Sequence, residues 1–263
     1  MENKPVYKKD SYLSPNVGMA VLCYLFCQFV LGLFIIYIVA FIYSKFSGIS
    51  YDSIIEAITN IDKEIEPNII NASNVIQGYA NLITYLISTF AVVFYLRDEV
   101  KKDLFELKNH KIFNLIYIPL CSILFVLITF LIDLGLSNFI PESQNQQSIV
   151  GIMTSGGAVP MILCTVLLAP VVEELIFRKC VFKYFKKFGM WVPYLVSILL
   201  FTLPHMLSTT SDIKVWLLQC IPYATAGGLL CLVYHKGKFN IWTCIAAHIL
   251  NNIVAVILVY LSM

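Results

Sequence analysis

Long apolar segments constrain the fold of this chain more than any other feature of its sequence. A helix that crosses a bilayer needs about 20 predominantly apolar residues. Seven segments come close to that length, at 17–44, 75–96, 112–136, 158–182, 192–207, 215–234 and 239–261. Only 13% of the residues are charged, whereas a soluble domain carries about 25%. We therefore predict an all-α fold, a polytopic integral membrane bundle of about seven transmembrane helices.

The apolar segments divide the chain into three parts. Residues 1–16 form a polar tail, and the long apolar segment after it lacks a small-residue cleavage site, so we expect it to be retained as a span. Residues 17–157 form an N-terminal membrane region with three spans and an acidic external loop at 45–74. Residues 158–263 form a membrane core of four spans.

Lysines and arginines predict the orientation of the bundle, because they are concentrated in cytoplasmic loops. With the N-terminus inside, 14 of these residues fall on the cytoplasmic side and three on the other. We therefore predict a multi-pass protein of the cell membrane with a cytoplasmic N-terminus and an external C-terminus. The bias toward Ile, Asn and Lys indicates a bacterial chain. The external residues are Lys45, Lys63 and Lys214, and the cytoplasmic set is Lys4, Lys8, Lys9, Arg97, Lys101, Lys102, Lys108, Lys111, Lys179, Lys183, Lys186, Lys187, Lys236 and Lys238.

Charge and cysteine content exclude several classes of partner. The net charge is only +2, and no basic tract with interleaved aromatic residues is present, which argues against a nucleic-acid partner. The eight cysteines lie in or beside apolar segments and include no CxxC pair. This placement argues against a disulfide scaffold and against a thiolate zinc site.

Charged residues inside the fourth apolar segment need a functional or structural reason, because each costs at least about 2.5–3.5 kcal/mol at membrane depth. Glu174 and Arg178 are four residues apart and share a helix face, so they can form a structural ion pair. Glu173 lies about 100° around the helix from Glu174, so it is predicted to be a separate, free acid. The alternative is that all three charges lie in the cytoplasmic headgroup zone, anchored by Lys179.

Two further segments carry histidines at membrane depth. His205 lies one turn after Phe201 in the fifth segment, where Phe201 is placed to form a wall of a pocket. His248 and Asn252 are four residues apart on one face of the seventh segment. Each histidine has a simpler explanation as an interhelical hydrogen-bonding residue. The coincidence of an acid, two histidines and an amide on three spans instead favours a convergent catalytic site.

The three motifs resemble those of the CPBP family, which joins type II CAAX prenyl proteases with bacterial Abi and bacteriocin-processing or immunity proteins. The motifs are Glu-Glu-x-x-x-Arg from Glu173, Phe-x-x-x-His from Phe201, and His-x-x-x-Asn from His248. The resemblance covers residues 158–256, and it implies that the N-terminal region is the variable part and 158–263 the catalytic core. It also implies an intramembrane protease of the glutamate type.

The resemblance assigns a role to each motif residue. Glu173 and His205 would hold and activate a water, and His248 and Asn252 would stabilise the oxyanion. Glu174 and Arg178 would form the structural pair. We expect no metal cofactor, since the HExxH helix motif is absent. The alternative is a zinc ion held by Glu173, His205 and His248.

These observations predict an intramembrane endopeptidase that hydrolyses a peptide bond with a glutamate-activated water. Its partners would be the lipid bilayer and a peptide or lipidated protein substrate, such as a pheromone or bacteriocin leader or a CAAX-like C-terminus. The main alternative is a non-proteolytic scaffold, or an immunity or regulatory protein, that binds a sensor or an envelope partner. A small transporter is less favoured, because inverted repeats and a relay of acids are absent from the sequence. Nothing in the sequence specifies an oligomeric state.

Overall fold

The computed structural model describes residues 14–59, 65–207 and 212–262. Within these ranges the chain is helical and contains no strand, and it forms nine helices. Residues 1–13 of the predicted tail, with Lys4, Lys8 and Lys9, and Lys63 of the 45–74 loop lie outside the described residues. The helices are α1 Pro15–Ser47, α2 Tyr51–Thr59, α3 Pro67–Asn109, α4 Lys111–Leu136, α5 Gln144–Met153, α6 Ala158–Phe188, α7 Trp191–His205, α8 Ile213–Lys236 and α9 Ile241–Leu261.

Six of the nine described helices are long and apolar enough to cross a membrane, namely α1, α3, α4, α6, α8 and α9. The predicted membrane bundle is therefore confirmed. The fifth predicted span is a shorter apolar helix, α7, which has 15 residues and contains Pro204 just before its end. At 1.5 Å per residue it extends about 22 Å, which is less than the roughly 30 Å of the hydrocarbon core.

Helix α3 is longer than its predicted span at both ends. Its 43 residues correspond to about 65 Å, twice the thickness of the hydrocarbon core. One extension carries Glu99 and Asp103 beside the end of α6. The other follows α2, a helix within the predicted 45–74 loop, where Ile54 is fully buried against Ile76 and Ala40.

Helix α6 is irregular at the two places that matter most for the site. Two π-helical stretches, Cys164–Leu168 and Leu175–Phe182, interrupt it. The first one ends two residues before Pro170, whose ring clashes with the carbonyl one turn earlier and whose nitrogen has no hydrogen to donate. Widening the helix to the π form relieves this crowding, and such bulges are frequent at functional sites. The second stretch starts directly after Glu173 and Glu174.

Helices α3 and α6 are held together at both ends. At one end Gly78 and Gly157 approach so closely that a Cβ on Gly78 would lie 2.7 Å from the Gly157 carbonyl oxygen. At the other end the Lys179 ammonium lies 2.7 Å from both carboxylate oxygens of Asp103. Residues of α1 and α3 also share one apolar core with α6, α7, α8 and α9. The N-terminal helices are therefore part of the packing around the candidate site.

Candidate active site

A buried ion cluster joins α6 to α9. The predicted pair is present, with Arg178 Nε 3.2 Å from Glu174 Oε2, and both side chains are completely buried. The other carboxylate oxygen, Oε1, lies 2.9 Å from Nδ1 of His248. Glu174 thus contacts a histidine from another span as well as the arginine one turn away, a tertiary contact that the spacing alone did not predict.

The Arg178 guanidinium contacts two further helices. Its Nη2 donates a hydrogen bond of 3.0 Å to the carbonyl oxygen of Gly227 on α8. Its central carbon lies 4.8 Å from the ring centroid of Phe201 on α7. A Cβ on Gly227 would lie 3.2 Å from the Phe201 ring, so the small residue allows α7 and α8 to approach closely. Arg178 therefore fixes the spacing of three helices around the cluster.

Glu173, the neighbour of Glu174, has a different environment. It is only 5% exposed, and Oε1 accepts a hydrogen bond of 3.3 Å from the hydroxyl of Tyr85 on α3. Among the described residues it has no ion-pair partner, whereas Glu174 has two. The two adjacent carboxylates therefore lie on different sides of α6, as predicted from their angular separation.

The two deep histidines both lie beside Phe201. The ring centroid of Phe201 is 5.0 Å from that of His205 and 6.0 Å from that of His248. His205 Nδ1 lies 2.8 Å from the Phe201 carbonyl oxygen, and the imidazole stacks on Tyr223 at 4.8 Å. These contacts fix the plane of the His205 ring and leave Nε2 as the nitrogen available to a substrate or water.

Asn252 lies one turn beyond His248 and bonds to the irregular part of α6. Its Nδ2 donates to the carbonyl oxygen of Thr165 at 2.8 Å. In the π stretch the amide of Ala169 bonds the carbonyl of Cys164, so the corresponding donor for Thr165 is residue 170, a proline without an N–H. The carbonyl freed by Pro170 therefore anchors the Asn252 amide, whose second N–H is left for another acceptor.

Asn251, next to Asn252, bonds to another span. Its side-chain oxygen accepts a hydrogen bond of 2.8 Å from Thr129 on α4. The bond joins α4 to α9, as expected for an interhelical amide in a membrane protein.

Lys179, which the sequence analysis counts in the cytoplasmic set, is buried in the structure. It is 6% exposed and bonded to Asp103, which is 2% exposed. Asp103 also accepts from the backbone amide of Ile241 at 2.9 Å, at the start of α9. Arg178, Glu174 and Lys179 are thus enclosed by protein.

The described contacts join five predicted residues into one cluster: Glu174, Arg178, Phe201, His205 and His248. Glu173 and Asn252 border it from adjacent positions on α6 and α9. Within the described part of the chain, no three His, Cys, Asp or Glu side chains are arranged to hold a metal ion. Glu173, His205 and His248 therefore do not form a ligand set in this structure.

Comparison with known proteins agrees with the motifs. Residues 155–254 match the family described as type II CAAX prenyl endopeptidase Rce1-like, a range that includes every predicted site residue. YdiL of Bacillus subtilis (strain 168), which is named as a candidate membrane peptidase, is 33% identical over 119 residues. That alignment covers 44% of this chain and 43% of YdiL, so the two are matched over less than half their lengths. No solved structure shows a significant match. The resemblance seen in the three motifs is thereby confirmed, since residues 155–254 of this chain are similar to the Rce1-like family.

Proposed function

We propose that this chain is an intramembrane endopeptidase in which Glu173 activates a water. The observation that supports it most strongly is the burial of Glu173, Glu174, Arg178 and His248 together among apolar helices. Desolvated charges of this kind are rare in membrane helices and are typically retained for function. The family match covers the same residues.

Glu173 is suited to the role of general base. It has no cation beside it among the described residues, so its carboxylate is not neutralised by an ion pair as that of Glu174 is. A water held between Glu173 and His205 Nε2 would lose its proton to the carboxylate as it attacks the peptide carbonyl. General-base catalysis of this kind contributes about 10²- to 10⁴-fold to a rate.

His248 and Asn252 would bind the oxyanion of the tetrahedral intermediate. Because Nδ1 of His248 contacts Glu174 at 2.9 Å, Nε2 is the ring nitrogen that would contact the substrate. Donation from Nε2 requires the doubly protonated ring, whose charge the Glu174 carboxylate balances on the Nδ1 side. The free N–H of the Asn252 amide would be the second donor, one helical turn away.

In this scheme Glu174 has two functions. It neutralises Arg178, as the spacing predicts, and it orients His248 through Oε1. A carboxylate that fixes the orientation of a catalytic imidazole is a recurrent arrangement in hydrolases. Glu174 therefore belongs to the site without touching the scissile bond.

The substrate would be a membrane-associated peptide or protein. The matching family is described as type II CAAX prenyl endopeptidase Rce1-like, and YdiL is named as a candidate membrane peptidase. In a bacterial cell, a pheromone or bacteriocin leader fits this chemistry as well as a lipidated C-terminus does. A cytoplasmic N-terminus and an external C-terminus remain part of this proposal.

The test compares membranes that contain the wild-type protein with membranes that contain Glu173→Gln at the same abundance. Peptides released into the medium and the cytoplasm are profiled by mass spectrometry. We expect a small set of cleavage products in the wild type that the variant does not release. Identical peptide profiles, with both proteins folded, would instead support the scaffold alternative.

A further inference from the structure

Tyr85 lies outside the family match, on α3, and its hydroxyl is the hydrogen-bond donor that the structure places on Glu173. The Tyr85 hydroxyl oxygen is 3.3 Å from Glu173 Oε1. This O–H···O distance is longer than the usual 2.7–2.8 Å or so, as is common for catalytic hydrogen bonds before a substrate binds. The contact joins residues 88 positions apart in the sequence.

Tyr85 belongs to a row of polar residues that faces α6. Asn81, Tyr85 and Thr89 are each four residues apart, so they lie on one face of α3. Asn81 Nδ2 approaches the sulfur of Met161 at 3.9 Å, and the Thr89 hydroxyl donates to the Leu168 carbonyl at 3.4 Å. The row therefore follows α6 from its first turns to the turn before Glu173.

The position of this row is fixed at both ends of the helix pair. The glycine contact between Gly78 and Gly157 sets the distance at one end. The bond between Lys179 and Asp103 sets it at the other. Tyr85 lies between these two points. The position of its hydroxyl beside Glu173 therefore depends on the packing at both ends of α3.

We infer that Tyr85 is a positioning residue for Glu173, an inference that rests on the proposed function. By donating to Oε1, the phenol holds the carboxylate in one rotamer and leaves Oε2 as the oxygen that accepts the proton of the attacking water. The N-terminal region therefore contributes directly to the geometry of the active site.

The test is Tyr85→Phe, which removes the hydroxyl and keeps the ring. The matched control is Tyr79→Phe on the same helix, where the side chain is exposed on the surface of the bundle. The probe is an internally quenched peptide that spans a cleavage site found by comparing wild-type and Glu173→Gln membranes. Loss of one hydrogen bond to a charged group corresponds to about a 10- to 100-fold change.

We expect Tyr85→Phe to lower kcat by about 10- to 100-fold, with KM and the melting temperature unchanged. Tyr79→Phe should match the wild type in all three. In a Glu173→Gln background, the second substitution Tyr85→Phe should have no further effect on residual cleavage, because the two residues act as one unit.

Two outcomes would overturn the inference while leaving the proposed function intact. One is a Tyr85→Phe variant with the kcat of Tyr79→Phe. The other is a fall in kcat that accompanies an equal loss of thermal stability in Tyr85→Phe, which would indicate a packing role alone. If no cleavage depends on Glu173 at all, both the proposed function and the inference are wrong.

Discussion

The adjacent carboxylates Glu173 and Glu174 lie on two sides of α6 and have different hydrogen-bond and ion-pair partners. On one side, Glu174 is fully buried between Arg178 and His248, and both of its oxygens have charged or chargeable partners. On the other side, Glu173 accepts a hydrogen bond from the phenol of Tyr85. A carboxylate whose oxygens are both engaged stabilises the protein and orients its neighbours, whereas one with a free oxygen can accept a proton. Under the proposed function, this difference in environment separates the carboxylate that orients its neighbours from the one that accepts a proton.

The largest expected effect comes from removing the free carboxylate. Glu173→Gln should lower cleavage by about 10²- to 10⁴-fold, the range for loss of a general base. The amide keeps the shape of the side chain and an oxygen that can still accept from Tyr85, so the melting temperature in detergent should not change. A cleavage assay and a thermal melt of the purified variant are the two measurements. A variant that unfolds would show that the two glutamates have been assigned the wrong way round.

The complementary change is on the other side of the helix. Arg178→Ala should lower the free energy of unfolding by about 3–5 kcal/mol, because it leaves the buried Glu174 carboxylate without its main counter-charge. Total activity should fall in proportion to the amount of folded protein, so the activity per folded molecule should change little. Thermal or denaturant unfolding in detergent measures the effect, and an Arg178→Ala protein as stable as the wild type contradicts it.

The double variant Glu174→Gln with Arg178→Met sharpens this result. Replacing a whole buried ion pair by uncharged groups of similar volume is often close to neutral, while breaking it is not. We therefore expect the double variant to be more stable than Arg178→Ala. Because Glu174 also orients His248, activity should remain low even when stability returns. Recovery of both together would limit Glu174 to a structural role.

A smaller effect is expected from changing the distance between α3 and α6. Gly78→Ala places a Cβ against the Gly157 backbone at 2.7 Å, and such overpacking typically costs about 1–3 kcal/mol. Moving α3 should weaken the Tyr85 contact with Glu173 and spare the Glu174 side, which depends on α7, α8 and α9. The control is Gly135→Ala, where nothing lies within 4 Å of the added carbon. The prediction is contradicted if the kcat of Gly78→Ala matches that of the control.

Relationships within one helix were predictable from the sequence, because helical periodicity alone specifies them. The pair Glu174–Arg178, the divergence of Glu173 from Glu174, and the membrane bundle itself follow from spacing and hydropathy. The short seventh helix, α7, was predicted only approximately, since an apolar run of intermediate length does not show where Pro204 ends the helix.

Contacts between helices were not predictable, because spacing does not specify how each helix is rotated toward its neighbours. The contact of Glu174 with His248 joins residues 74 apart, and that of Asp103 with Lys179 joins residues 76 apart. Lys179 lies near the cytoplasmic end of a predicted span, and its spacing gives no sign that it is buried beside Asp103. Tyr85 carried one usable signal, the spacing of four that it shares with Asn81 and Thr89 inside an apolar segment.

The smallest expected effect on the cleavage rate is that of metal removal. It needs a direct test because of the contact between the Glu174 carboxylate and His248. A histidine whose Nδ1 contacts a carboxylate, as His248 contacts Glu174, is the arrangement that commonly supports a metal-ligating Nε2. The same contact would equally orient a histidine that donates a hydrogen bond to an oxyanion.

The arrangement of the potential zinc ligands favours a role of His248 as an oxyanion donor. A catalytic zinc ion takes three protein ligands at about 2.0–2.2 Å, and no such group of three is assembled among the described residues. Glu173, the acid of the zinc alternative, contacts Tyr85 from α3, whereas His248 is bound to Glu174. We therefore expect ortho-phenanthroline to leave the rate of Glu173-dependent cleavage unchanged. The non-chelating meta isomer is the matched control for any effect of the compound on the membrane. Stoichiometric zinc in the purified protein, with activity lost on chelation and restored by zinc, would move Glu173 from general base to ligand and would require the two sides of α6 to rearrange around the metal.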